Sequence, residues 1–387
     1  MKRDKLSLFS VRKKTTNSQV FNKKVSDTGF SKFLNPGSLH MVNEWFKNKS
    51  NAVVGIFMQR LFIIGSLVVL IILMLASMSL GRYHIPITGI LKYLFTGNSG
   101  DSNYPIILLN IRLPRIIGAV VVGGALSIAG ASYQGMFRNP MVSPNILGVT
   151  SGAGFGASLA ILLSFSVGFI QVMSFIGGIG AVLIAVSISK WIGKNHDRIL
   201  VLVLSGIVIS SLFSSMLSIL KYVADPDDKL PAITYWLMGS LASIRMSDLT
   251  MVTPIILIGA VPLILVSWRI NVLSFGEDEA RSLGLNTVKL RALIIVCASL
   301  VTACTISVSG IIGWVGLIIP HLTRMMVGPN HKILLPASFI LGGIFMLVVD
   351  NIARALASIE IPLGILTSVI GAPLFIYFLK KSTKKTW

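Results

Sequence analysis

Long apolar stretches separated by short polar ones set the pattern of this chain. Runs nearly free of charge occupy 61–80, 168–190, 199–221, 250–268 and 290–310. Runs richer in Gly, Ser and Pro occupy 114–132, 144–163, 312–327, 333–350 and 361–379. A hydrocarbon core about 30 Å thick is crossed by about 20 helical residues, because in lipid each backbone amide must find its partner within its own segment. The pattern predicts an all-α membrane protein with about ten transmembrane helices over 56–387. Segment 1–55, rich in Lys, Asn and Ser, has no sustained apolar period. It reads as a basic, mostly disordered cytoplasmic extension, placed to touch anionic lipid.

Composition agrees with lipid as the solvent. Only 12% of residues are charged and mean hydropathy is +0.81, against about 25% charged residues in a soluble domain. The net charge of +20 could point to nucleic acid, but its distribution does not. Residues 1–60 carry twelve Lys and Arg against three Asp and Glu, and Lys380, Lys381, Lys384 and Lys385 add to the other end. The positive-inside rule then places both termini in the cytoplasm of a multi-pass cell-membrane protein, which an even number of spans requires. Arg138 and the segments 190–198, 269–291 and 324–332 fall on the inner side. The outer loop Ala224–Asp248 holds Asp225, Asp227, Asp228 and Asp248 against Lys229 and Arg245. The first apolar run starts only at Leu61, after a Lys-rich stretch, so the first helix is expected to be retained and not cleaved as a leader.

Little in the sequence points to catalysis. Cys297 and Cys304 lie in one apolar run, about 10 Å apart on a helix, too far for a disulfide, and read as packing residues. His40, His84, His196, His321 and His331 are scattered without paired spacing, so no metal-ligand set is expected. The run Gly152-Ala-Gly154-Phe-Gly156 lacks the strand that a nucleotide-binding loop follows and reads as helix packing. No Gly-x-x-x-x-Gly-Lys-Ser/Thr occurs; any ATP must be bound by another chain. A proton- or sodium-coupled carrier is the rival from another class and would show buried acids or broken helices. Acids here cluster at span ends, with Asp350 the exception.

Three constellations stand out. In Ser274-Phe-Gly276-Glu277-Asp-Glu-Ala280-Arg281-Ser-Leu283-Gly284, Ser274 and Glu277 have capping-box spacing, three acids fill the first turn, and Gly284 stands where a helix stops. It predicts a short cytoplasmic helix between two spans, with Ala280 and Leu283 available to a partner; a capped surface helix that merely closes a loop is the alternative. In Ile111-Arg112-Leu-Pro114-Arg115, a helix start at Pro114 would set both arginines at a positive helix end, where they attract anions or reach lipid headgroups. In Asp350-Asn-Ile-Ala-Arg354 the acid precedes the base by four, the favourable helical order.

These landmarks, with Gln134-Gly-Met-Phe-Arg-Asn-Pro140, Ser143-Pro-Asn-Ile-Leu-Gly148, Tyr235-Trp-Leu-Met-Gly239, Gly316-Leu-Ile-Ile-Pro-His321, Leu334-Leu-Pro336, Ile361-Pro-Leu-Gly364 and Gly371-Ala-Pro373, fall in one order. Over about 60–380 the chain resembles the permeases of the FecCD-like, type II ABC importers of iron-siderophores, haem and vitamin B12. The resemblance implies the type II importer permease fold, paired with a second permease as homodimer or heterodimer. It implies two ATP-binding subunits that hold ATP and Mg, an extracytoplasmic substrate-binding protein, and no cofactor in this chain, which is not itself an enzyme. By the same resemblance Gly276, Glu277, Ala280, Leu283 and Gly284 match the helix that couples to the ATPase. Arg112, Arg115 and Arg354 match positions that meet acidic residues of the binding protein. An iron-siderophore is the expected cargo, with haem or vitamin B12 as alternatives.

Overall fold

The computed structural model describes residues 36–81, 83, 85–96, 103–193, 198–356 and 359–383. Residues 1–61 and 62–387 form separate units, and the second carries the features below. Fourteen helices follow in order among the described residues. They are α1 (Pro36–Ser79), α2 (Ile87–Thr96), α3 (Asn103–Phe137), α4 (Val149–Leu162), α5 (Val167–Ile192), α6 (Arg198–Val223) and α7 (Lys229–Met238). Then come α8 (Met246–Leu265), α9 (Ser267–Leu273), α10 (Glu277–Ser282), α11 (Thr287–Ser309), α12 (Val315–Val327), α13 (His331–Ala355) and α14 (Leu363–Thr383).

All ten apolar runs are helical. Among the described residues seven helices are long and apolar enough to cross a membrane, and α4, α12 and Leu363–Phe378 of α14 are shorter apolar helices. The helix through the first run reaches back to Pro36, into the segment read as mostly disordered; adding turns to an existing helix avoids a new nucleation step. The rest of that segment, 1–35, lies outside the described residues. Segment 224–248, expected as an outer loop, contains α7, ten residues of mostly apolar sequence.

α3 is the hub and is buried along nearly its whole length from Pro114 to Phe137. It can be so enclosed because its neighbours approach at glycine. A Cβ on Gly130 would stand 1.7 Å from the Gly316 carbonyl oxygen of α12, so backbone meets backbone there, the close crossing that small residues permit in membranes. The Gly152 and Gly156 run does the same work for α4, facing Gly177 and Met173 of α5, which bears out its reading as a packing surface. Cys304 of α11 is buried, its thiol directed at the Val252 carbonyl 3.6 Å away. By contrast α1 from Met58 onward presents a largely exposed apolar surface, as a lipid-facing helix does.

Two spans are broken. α4 and α12, of 14 and 13 residues, rise only about 20 Å each. Irregular backbone precedes both: a 3-10 turn over Pro144–Leu147 before α4, and Gly310–Trp314 before α12, with positive φ at Gly310 and Trp314. Such backbone survives at membrane depth only when enclosed by protein or facing water. Here the neighbouring turns share their hydrogen bonds, Ser240 N to Ser309 O at 2.8 Å and Leu363 N to Gly239 O at 2.9 Å. The expected run 144–163 therefore begins as helix only at Val149.

Candidate coupling and docking sites

Two polar constellations lie at opposite ends of α13. Its first turn is tied to α9, the helix before α10: Asn271 donates to the Asn330 side chain at 2.8 Å and accepts from the His331 amide at 2.8 Å. Its last turns carry Asp350 and Arg354. The nineteen helical steps from His331 to Asp350 rise roughly 30 Å, one membrane thickness.

At the first end, α10 is six residues long. Its cap differs from the expected box. Ser274 donates its hydroxyl to the Asn271 carbonyl at 2.6 Å, and Gly276 is the N-cap at φ 149°, with Glu279 Oε2 lying 1.8 Å from where a Cβ would stand. That φ is one that L side chains rarely adopt, which favours glycine there. The stop is as expected: Gly284 at φ +79°, Gly284 N to Arg281 O at 2.8 Å and Leu285 N to Ala280 O at 3.0 Å make the paired bonds of a Schellman motif.

Glu277 fixes this helix to α11. Its carboxylate pairs with Arg291 at 2.7 Å and Arg281 at 2.6 Å and accepts from Thr287 at 3.3 Å. Partial burial disfavours its charge, but the hydrogen bond and charge of Arg291, with Arg281 and Thr287, outweigh that and hold its pKa below the ordinary value. Ala280, expected to face a partner, is fully buried in the main core cluster and anchors the helix from beneath. Leu283 is 67% exposed and Phe275 75% exposed. Phe275 was missed in the sequence because it precedes the helix; an aromatic between Ser and Gly at a cap was the available signal.

At the other end the arginines are not at a helix N-terminus. The helix runs back past Pro114 to Asn103. Proline's ring and missing N–H normally break a helix; here a π-helical turn over Ile107–Arg112 widens the spiral just before it, with Leu113 N bonded to Leu108 O. Arg112 and Arg115 are consequently buried, at 4% and 6% exposure. Arg115 pairs with Asp350 at 2.8 Å and Glu360 at 2.9 Å. Arg354 pairs with the other Asp350 oxygen at 3.1 Å and donates to Ser77 at 2.7 Å and to Asn351. The expected Asp350–Arg354 pair is thus present within a larger network. Arg112 donates to the carbonyls of Met78 and Tyr83. Among the described residues no carboxylate pairs with it, so the cluster of three arginines and two acids keeps one positive charge.

A short helix exposed at one end of a bundle and a cationic cluster at the other suit a chain held from both sides. The broken helices alone would also suit an ion-coupled carrier. Comparison with known proteins decides between them. Residues 69–381 match the model of the FecCD transport family. The chain is 41% identical over 324 residues to the molybdate import system permease MolB of Haemophilus influenzae, covering 82% of this chain and 95% of that protein. It is 41% identical over 288 residues to a probable iron chelatin transport system permease of Helicobacter pylori, covering 74% and 86%. A solved structure described as an inward-facing metal-chelate type ABC transporter is similar at 40% identity and TM-score 0.75, covering 82% of this chain and 98% of that one. With ten apolar helices and that family match, the chain belongs to the FecCD transport family and is a multi-pass permease subunit of an ABC importer.

Proposed function

We propose that this permease carries an iron chelate into the cell, driven by ATP that is bound with Mg and hydrolysed on partner subunits seated against α10. The observation that carries the coupling role is the pairing of exposed Phe275 and Leu283 with a helix locked to α11 through Glu277 and Arg291. Exposed apolar side chains beside a rigid mount form a surface for a partner to push on. With the charge excess of both termini on the same side, α10 faces the cytoplasm, and the Asp350 end faces outward.

On the outer side, a substrate-binding protein docks with acidic side chains toward the cluster that Arg112 leaves positive. Arg115 and Arg354 hold that end in shape through Asp350 and contribute to its field. A second permease, identical or homologous, completes the translocation path. The chain performs no covalent chemistry.

The iron chelate is supported by the Helicobacter relative and by the metal-chelate type of the solved structure. Molybdate is the second reading, supported by the longer match to the Haemophilus protein. The test is uptake of radiolabelled ferric chelates, molybdate, haem and cobalamin in strains with and without this subunit. Loss of ferric-chelate uptake alone is expected; loss of molybdate uptake alone would replace the cargo, and loss of none would contradict an import role.

A further inference from the structure

A cavity of about 700 Å³ opens between α3, α5, α6 and α11, reaching the α10 brace only at Arg291. Its walls are almost wholly apolar. Phe175, Ile179 and Val186 of α5 face Ile295 and Val296 of α11 across it, and Phe137 closes one side. From Lys190 to Phe175 the lining covers fifteen helical steps of α5, a rise of about 22 Å. One leaflet of hydrocarbon is about 15 Å deep, half of the core. The cavity is therefore as deep as one leaflet with its headgroup layer. Leu183 and Val296 on its open side are 60% and 62% exposed, so it communicates with the surrounding lipid.

Its charged lining is confined to one end and has one sign. Lys190, in the last turn of α5, and Arg291, in the first turns of α11, both line it, and among the described residues no Asp or Glu does. Arg291 is mostly buried, at 14% side-chain exposure. One of its donors holds Glu277, while its Nε is buried and has no hydrogen-bond partner. A guanidinium offers five donors, and a buried one left unpaired is costly. A phosphate ester would take the open donors. A hydrocarbon chain would fill the apolar depth, where each buried CH₂ contributes about 0.8 kcal/mol.

We infer that this cavity binds one anionic glycerophospholipid of the leaflet on the α10 side, its acyl chain between α5 and α11 and its phosphate between Lys190 and Arg291. Arg291 is then shared by the headgroup and by Glu277. Anionic lipid thereby tunes how firmly α10 is mounted. That consequence rests on the coupling role proposed above; the lipid site itself does not.

The test uses the assembled transporter, with the full chain, in nanodiscs of phosphatidylcholine doped with phosphatidylglycerol, and counts retained lipid by native mass spectrometry. The expected result is one phosphatidylglycerol held per copy of this chain in preference to phosphatidylcholine. Lys190→Gln should weaken retention about fivefold, the effect of one cation near an anionic headgroup. Ala292→Trp, which puts an indole into the cavity while keeping both cations, should abolish it. Equal retention of the two lipids, or wild-type retention by both variants, would overturn the site. So would Ala292→Trp splitting paired permeases while phosphatidylglycerol stays bound, which would make the cavity a protein interface. If Ala292→Trp fails to assemble, Lys190→Gln alone decides. Uptake of every cargo unchanged without the subunit, with lipid retention intact, would count against the import reading and leave this site standing.

Discussion

Arg115 and Asp350, 235 residues apart in the chain, meet at 2.8 Å with side chains 7% and 0% exposed. The contact joins α3 to α13 at one end of the bundle, and Arg354 completes it from the other Asp350 oxygen. A buried carboxylate between two guanidiniums makes that end intolerant of losing one member. Asp350→Ala leaves two buried cations short of a partner and should cost about 3–5 kcal/mol. Thermal unfolding of the purified chain measures this; an unchanged midpoint would show the cluster to be dispensable.

The α3–α12 crossing makes a sharper demand. Gly130→Ala sets a methyl group against the Gly316 carbonyl, where neither backbone can yield. The variant should lose folded protein on size-exclusion chromatography. Gly65→Ala, with nothing within 4 Å of the added carbon, should behave as wild type; similar losses in both would remove the crossing as the cause.

The Glu277 brace has a defined pH dependence. Its folded pKa lies below the ordinary 4.5, so its stabilisation is complete above that value and is lost as pH falls through the lowered folded value. Wild type should exceed Glu277→Gln in thermal midpoint by a constant margin from pH 7 to 5, and the margin should close only in stronger acid. A margin that already shrinks between pH 7 and 5 would contradict the brace.

Arg112→Glu reverses the charge that the Asp350 cluster leaves unbalanced. Affinity for the substrate-binding protein should fall by at least about tenfold, with ATPase assembly intact. Surface plasmon resonance on the reconstituted transporter reads it, and unchanged affinity would remove Arg112 from the docking surface.

Hydropathy made all ten spans legible, because lipid imposes one rule on every segment. Local chemistry was legible where it is self-contained: the Gly284 stop and the Asp350–Arg354 pair each join residues within a few positions. Long-range partners were not. Nothing near Arg115 announces Asp350 or Glu360, so a buried network read as a set of outward-facing arginines. Pro114 misled for a related reason, since the π-helical turn that accommodates it leaves no composition signal. Ala280 looked available because its helix face depends on α11, which the sequence does not position.

The most direct test of the account is ATP-driven accumulation of a ferric chelate in proteoliposomes holding the complete transporter, wild type against Leu283→Asp. Leu283 is exposed and makes no part of the brace, so the variant should fold and bind its permease partner. The account predicts ATP-dependent uptake in the wild type and its loss in Leu283→Asp, with ATP hydrolysis no longer raised by the loaded binding protein. Wild-type accumulation by the variant would contradict coupling through α10.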